Sequence, residues 1–256
     1  MKNVVVVGYP KSGNTWLKRV VCDLVDGTPA AFLGSADQLS ETNGDKPRCF
    51  KSHLELHELN ANGKVEPPDN YIIYVIRDPR DVVMSGSNYF RFHRLKWLPR
   101  LFKPFWKGQQ VYRALLYPRL SPESYRINQM FEATLYGSQK VSRYCRASWK
   151  AHYQPYADAG CFFVRYEDML THPEREYRRI LEYVGIEKSE EEVRAIAEKH
   201  SFKKSKERFI KQGQEWNANF LRSGKRGQWR EKLSQEQQDK FSNLLSEDLK
   251  RFSYAE

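Results

Sequence analysis

An α/β fold, with one central, mostly parallel sheet flanked by helices in a single domain, follows from three observations on this sequence. Short β-branched runs alternate with apolar residues at helical spacing, and the first run leads through a glycine-containing loop into a helix. No internal repeat, low-complexity tract or Pro/Ser-rich linker divides the 256 residues, so one domain spanning 1–256 is the economical expectation. A chain of this length buries a core that needs no covalent staple.

The elements follow in order. Val4 to Val7 is a continuous β-branched run suited to a strand buried on both faces. Trp16, Leu17, Val20, Val21, Leu24 and Val25 then recur at helical spacing, and Gly27 closes that helix. Arg48 to Lys51 is a second strand, and Tyr71 to Ile76 a third and stronger one. Asp78 followed by Pro79 is an N-cap with proline at the first helical position, which predicts a helix from Pro79 to about Phe90. Cys161 to Arg165 is a fourth strand. The last third is helical, with capping boxes at Ser189/Glu192 and Ser234/Gln237 that start helices at each serine.

Composition narrows the function. Forty-three Lys and Arg against 32 Asp and Glu leave a net charge of +11, while 40% hydrophobic and 14% aromatic residues exclude a disordered chain. No stretch reaches the roughly 18 consecutive apolar residues of a membrane span. The Val4 to Val7 run is too short for a secretory leader, so a cytoplasmic protein is expected. Cys22, Cys49, Cys145 and Cys161 form no C-x-x-C pair and have no histidine at ligand spacing, so they read as buried thiols with no metal.

The charge is unevenly spread. Between Asp81 and Glu123 there is no acid, while Arg91, Arg94, Lys96, Arg100, Lys103, Lys107, Arg113 and Arg119 supply eight cations. Nine aromatics are interleaved with them, among them Trp97, Phe105 and Trp106. A segment of this kind, about residues 87–120, either packs as a lid over the sheet or meets something amphipathic and negative.

The loop Gly8-Tyr-Pro-Lys-Ser-Gly-Asn-Thr15 sits where backbone N–H groups and a helix N-terminus bind phosphate. In a nucleoside-triphosphate loop the lysine follows the second glycine and the next hydroxyl holds magnesium. Here Asn14 takes the lysine position and the lysine is inside the loop, at Lys11. A phosphate site remains, without the equipment for a γ-phosphate and its metal.

Four motifs in order resemble those of sulfotransferases that use 3′-phosphoadenosine 5′-phosphosulfate. Tyr9-Pro-Lys-Ser-Gly-Asn-Thr-Trp-Leu17 resembles the 5′-phosphosulfate loop, and Tyr74-Val-Ile-Arg-Asp-Pro-Arg-Asp-Val-Val-Met-Ser85 the strand and helix of the 3′-phosphate. Phe163-Val-Arg-Tyr-Glu-Asp-Met169 and Arg222-Ser-Gly-Lys-Arg-Gly-Gln-Trp229 complete the series. The resemblance implies a P-loop-like fold and assigns donor binding to Lys11, Ser12, Gly13, Asn14, Thr15 and Trp16. It adds Arg77, Ser85, Arg222, Ser223 and Gly224 for the 3′-phosphate, and Tyr166, Ser201 and Phe202 for the base. Taken without the family, Arg77 ends a buried strand, where it either forks onto a phosphate or pairs with Asp78 or Asp81. Tyr166, Trp16 and Phe202 could each be ordinary core.

The sequence departs from the family at several places, with Ser52 replacing the usual threonine between Lys51 and His53. Ser223 stands where many relatives have lysine, so that phosphate contact is either lost or taken over by Lys225 or Arg226. His200 replaces a frequent threonine before Ser201.

Arg48-Cys-Phe-Lys-Ser-His53 resembles the family's Lys-Thr-His segment and carries the general base over to His53. Ligands of parallel sheets bind beyond the carboxyl ends of the strands, and period-two alternation puts Lys51 and His53 on one side. A neutral histidine suits proton removal from an acceptor hydroxyl at pH 7, and Lys11 and Lys51 suit charge stabilisation, with no metal required. Alone, a histidine after a strand is more often structural.

The implied reaction is sulfuryl transfer to a hydroxyl-bearing acceptor, with the 3′,5′-adenosine bisphosphate as product. The acceptor's identity is open: a small molecule, a glycan or a lipid, with peripheral membrane contact as a further alternative. The competing expectation is a P-loop nucleotide kinase or hydrolase that uses Tyr71 to Asp78 as its metal-binding strand; Asn14 argues against it. Specific nucleic-acid binding is not expected, because an anionic donor already explains the basic face. The oligomeric state is left open, since the short C-terminal dimerisation motif of animal cytosolic members is absent.

Overall fold

The computed structural model describes residues 2–39, 45–60, 70–92, 117–211 and 227–255. Five strands form one sheet: β1 (Asn3–Val7), β2 (Thr28–Leu33), β3 (Arg48–Ser52), β4 (Asn70–Ile76) and β5 (Phe162–Arg165). Their order is β2-β3-β1-β4-β5, and every pairing is parallel. Four strands lie where the residue pattern puts them, to within a residue at each end. The fifth, β2, opens with Thr28-Pro29, which reads as a turn. Its position at the edge of the sheet, with exposed Thr28 and Pro29, explains how a proline is tolerated there.

The helices are α1 (Asn14–Leu24), α2 (Leu56–Leu59), α3 (Pro79–Tyr89), α4 (Tyr117–Leu120), α5 (Glu123–Tyr136) and α6 (Trp149–Asp158). After β5 come α7 (Tyr166–Thr171), α8 (Pro173–Val184), α9 (Glu190–Lys199) and α10 (Phe202–Lys211). The last three are α11 (Trp229–Lys232), α12 (Gln235–Leu244) and α13 (Ser246–Arg251). Asp78 caps α3 through its carboxylate, and both expected capping boxes are present, at Ser189 before α9 and Ser234 before α12. Gly27 does follow α1, though Asp26 takes the left-handed backbone, at φ 48. Glycine is needed at 27 for space, since a Cβ there would stand 2.7 Å from the Pro47 carbonyl and 2.8 Å from Cys49 Sγ.

Alternation along the central strands sends side chains to two cores. Val4, Val6, Ile73 and Val75 pack beneath α1, α8 and α9 with Leu17, Val20, Ile180 and Val193. Val5, Val7, Ile72, Tyr74 and Ile76 face α3, α5, α6 and the C-terminal helices, with Val83, Met130, Trp149 and Phe241. Full burial of each such aliphatic side chain contributes roughly 1.5 to 3 kcal/mol, so the middle strand is the most firmly held part of the sheet. Its carboxyl end carries the phosphate loop.

Candidate active site

β1 has β3 on one side and β4 on the other, so the chain order reverses around it. The crevice beyond the carboxyl ends of these three strands is the switch point where open α/β sheets bind ligands. The loop between β1 and α1 lies there. Ser12 N–H donates to the Tyr9 carbonyl at 3.2 Å, and Gly13, at φ 104, accepts the first helical bonds from Trp16 and Leu17. A Cβ on Gly13 would meet the Tyr166 ring at 2.6 Å, so no other residue fits. Lys11 also has left-handed backbone, at φ 77, a conformation costly outside glycine and found mostly at functional sites.

Asn14 is buried, and its amide donates to the carbonyls of Gly8 and Ser52 at 3.0 and 3.2 Å. The side chain at the nucleotide-kinase lysine position therefore clamps the loop to β3, and its contribution to an anion is confined to its backbone N–H. Asp78, the acid of the competing kinase assignment, is committed to Arg80.

Three cations converge on the loop. Arg77 Nη1 donates to the Lys11 carbonyl at 3.2 Å, and its guanidinium lies 4.4 Å from the Tyr166 ring. Asp81 instead accepts from Gly227 N–H at 3.0 Å, so neither neighbouring acid claims Arg77 by an ion pair. Lys11 Nζ sits 3.7 Å over the Tyr89 ring of α3, one turn beyond Ser85 on the same helical face. Lys51 Nζ donates to Thr15 Oγ1 at 3.0 Å and lies 5.5 Å from the Phe32 ring. Burial first, then Arg77 and Lys51, hold the Lys11 ammonium well below the usual lysine pKa. Burial, Lys18 and Arg19 lower Lys51 as well. Cations that repel one another in a partly desolvated crevice are stabilised by an anion.

Two orphaned polar atoms fit the same ligand. The Ser12 hydroxyl is fully buried, and neither it nor Arg77 Nε has a hydrogen-bond partner among the described residues. Buried donors in a loop lined with N–H groups are what phosphate oxygens satisfy.

His53 follows β3 immediately and shares its side with Lys51. Its Nδ1 bonds the Gly8 carbonyl at 2.8 Å. A carbonyl only accepts, so Nδ1 carries the proton and Nε2 keeps its lone pair. Phe32 and Tyr144 pack on the ring with centroids at 5.7 and 5.8 Å. Burial, helped by Lys51, His152 and Lys11, lowers the His53 pKa to about 3 against the opposing effect of the Gly8 bond. The imidazole is neutral at physiological pH.

Among the residues the resemblance assigns to the base, Trp16 meets Tyr166 edge-on with centroids 5.5 Å apart, and its Nε1 donates to the His200 carbonyl at 3.0 Å. His200 itself is buried against Asp23, with Nε2 2.6 Å from Oδ2. The residue in the threonine position thus ties α9 to α1 and holds Trp16 through its backbone. Ser201 Oγ accepts from Lys204 N–H at 3.4 Å at the head of α10. The Phe202 side chain and Arg222, Ser223 and Gly224 lie outside the described residues, as do residues 93–116 of the aromatic segment.

Several supporting residues carry no motif signal of their own. Arg80 forks onto Asp78, stacks 3.8 Å from Trp229 and donates to the Tyr254 carbonyl. Glu167 accepts from Asp78 N–H at 3.1 Å and from the Tyr254 hydroxyl at 2.9 Å. Arg80, Glu167 and Trp229 sit inside recognised segments that assign them no role, and Tyr254 lies outside them all. Among the described residues no cluster of His, Cys, Asp or Glu could hold a metal ion, and no helix is long and apolar enough to cross a membrane.

Comparison with known proteins identifies the family. The family model described as sulfotransferase domain matches residues 35–253. Sulfotransferase 1A1 of Rattus norvegicus is 26% identical over 93% of this chain and 81% of its own length. Sulfotransferase 2A1 of Homo sapiens is 25% identical over 97% of this chain and 84% of its own. Among solved structures, a mouse sulfotransferase complexed with PAP superposes with a TM-score of 0.67 at 21% identity, over 97% of this chain and 84% of that one. A retinol dehydratase in complex with androsterone and PAP gives 0.56 at 19% identity, over 98% and 82%.

Proposed function

This chain belongs to the sulfotransferase domain family, and we propose that it moves the sulfuryl group of 3′-phosphoadenosine 5′-phosphosulfate to an acceptor hydroxyl with His53 as the general base. The observation that carries this reading is the bond from His53 Nδ1 to the Gly8 carbonyl. It couples the candidate base to the first residue of the phosphate loop, so the proton acceptor and the anion site share one backbone. Several relatives and neighbours bear sulfotransferase names, and the nucleotide in two neighbouring structures is PAP.

The residues divide the work. Loop N–H groups, Lys11, Ser12 and the N-terminus of α1 hold the 5′ phosphate end, and Arg77 with Ser85 on α3 holds the 3′-phosphate. Trp16 and Tyr166 provide the aromatic walls for the base. When bound, the donor supplies the sulfuryl group and leaves as the bisphosphate. His53 Nε2 takes the acceptor proton, while Lys11 and Lys51 offset the negative charge that grows on the leaving side. The acceptor side is assigned to the 87–120 segment, whose Tyr89 ring lies 3.7 Å from Lys11 Nζ.

The test separates binding from rate. His53→Ala should keep its affinity for the 3′,5′-adenosine bisphosphate and lose turnover by about 10² to 10⁴, the usual contribution of a positioned general base. Calorimetry without metal gives the first quantity; transfer of label from the donor to a panel of phenols, sterols, glycans and lipids gives the second. A variant as fast as wild type removes His53 from the chemistry.

A further inference from the structure

We propose that His152 is a positioning residue for the reaction: buried behind His53, it holds the backbone carbonyl of His53 and so fixes the ring whose Nε2 faces the chemistry. This rests on the reading of His53 as general base, but its geometry is independent of that reading. His152 is 1% exposed on α6, 99 residues along the chain from His53. Its Nε2 lies 3.1 Å from the His53 carbonyl oxygen, and its Nδ1 lies 2.8 Å from the Tyr74 hydroxyl.

The directions of these bonds are fixed. A carbonyl cannot donate, so His152 Nε2 bears the proton; the neutral ring then has a lone pair at Nδ1, which accepts from the Tyr74 O–H. Burial lowers the His152 pKa and keeps that neutral form. One turn further along α6, the Tyr156 hydroxyl donates to the Leu54 carbonyl at 2.7 Å, and its ring stacks on His152 at 6.0 Å. Two consecutive carbonyls beyond β3 are thus gripped from one face of one helix. The Tyr9 ring meets His152 edge-on at 5.7 Å, which places the phosphate loop against the same group.

The Gly8 carbonyl and His152 therefore hold the base from opposite ends. The His53 ring donates forward to the Gly8 carbonyl, and the His53 backbone accepts from behind. If the rear bond is lost, the peptide of His53 is free to rotate, and the ring loses the single orientation in which Nδ1 is protonated. A small reorientation of a base costs rate without costing donor affinity.

The experiment compares two substitutions of similar size and polarity. In His152→Gln the amide nitrogen reaches the place of Nε2; in His152→Asn it reaches only that of Nδ1. The His53 ring nitrogens are followed by ¹⁵N NMR of the full-length, histidine-labelled protein, alongside turnover with 4-nitrophenol and 2-naphthol and affinity for the bisphosphate. His152→Gln should keep the Nδ1–H form of His53 and turnover within about threefold of wild type. His152→Asn should show a mixture of His53 tautomers and a tenfold or greater fall in kcat, with bisphosphate affinity unchanged. Equal behaviour of the two variants, in both tautomer and kcat, overturns the proposal. Should His53→Ala turn over at the wild-type rate, the base assignment falls, while the tautomer measurement still decides whether His152 positions the ring.

Discussion

Lys11 combines a left-handed backbone with an ammonium pushed toward neutrality by burial, Arg77 and Lys51. Both are tolerable if a polyanion restores the charge. Binding of the bisphosphate should therefore be accompanied by proton uptake, visible as a dependence of the calorimetric enthalpy on the buffer's ionisation heat; Lys11→Ala should reduce it, leaving the share due to Lys51. Lys11→Ala and Arg77→Ala should each weaken that binding by roughly 1.5 to 3 kcal/mol, the range for a charge-assisted bond, and unchanged affinity in both would mean that the nucleotide lies elsewhere. His53 is shifted in the same direction. Its folded pKa, about 3, is below the ordinary value of 6.5, so the unfolded chain binds the proton more readily and stability falls as pH drops from about 6.5 toward 3. Denaturant midpoints across that window should decline less steeply in His53→Ala, and identical slopes would show that the histidine is not held neutral. Lys11, Lys51 and His53 were legible because loop position and strand alternation carry chemical meaning. His152 was not, because a histidine at 152 bonds a carbonyl 99 residues away and leaves no local pattern.

At the scale of elements, the turn from β4 into α3 shows what a motif leaves unsaid. Asp78-Pro79 announces the helix start, and the cap is there, but the same carboxylate also holds the Arg80 guanidinium. Arg80 and the Asp78 N–H then reach Tyr254 and Glu167, so the turn that presents Arg77 is braced by the C-terminal residues and by α7. Burial raises the Glu167 pKa, and the Tyr254 hydroxyl supports the ionised form. Tyr254→Phe removes one bond from a buried carboxylate and should lower unfolding stability by about 1 to 3 kcal/mol. It should also weaken bisphosphate binding less than Arg77→Ala does, because Arg77 itself keeps its bonds. If neither thermal midpoint nor affinity moved, the brace would be ornamental. Strands read from residue pattern succeeded where both faces are apolar, as in Val4 to Val7. β2 failed that test because an edge strand needs only one buried residue in six, Leu33.

For the molecule as a whole, the parallel sheet fixes where the phosphate loop lies, and the acceptor end is the part proposed for the 87–120 segment. Phe92 and Tyr117 are the described residues on either side of 93–116. Phe92 N–H donates to the Tyr117 hydroxyl at 3.1 Å and the Ser121 hydroxyl donates to the Phe92 carbonyl, so the two ends of the segment are pinned together. Residues 93–116 lie between these joined ends. Their composition supplies cations and aromatics with no acid, which suits a hydrophobic pocket rimmed by positive charge, or contact with an anionic lipid surface. Replacing Trp97, Phe105 and Trp106 together by alanine should raise the acceptor KM, or abolish retention on vesicles containing phosphatidylserine, while bisphosphate affinity stays at the wild-type value. The nucleotide measurement makes the result interpretable: a parallel loss there would mean a damaged fold, not a lost cover. Wild-type acceptor kinetics together with wild-type vesicle retention would show that these aromatics serve neither role, and the acceptor pocket would then have to be built from Phe32, Tyr89 and Tyr144, the rings already packed around His53 and Lys11.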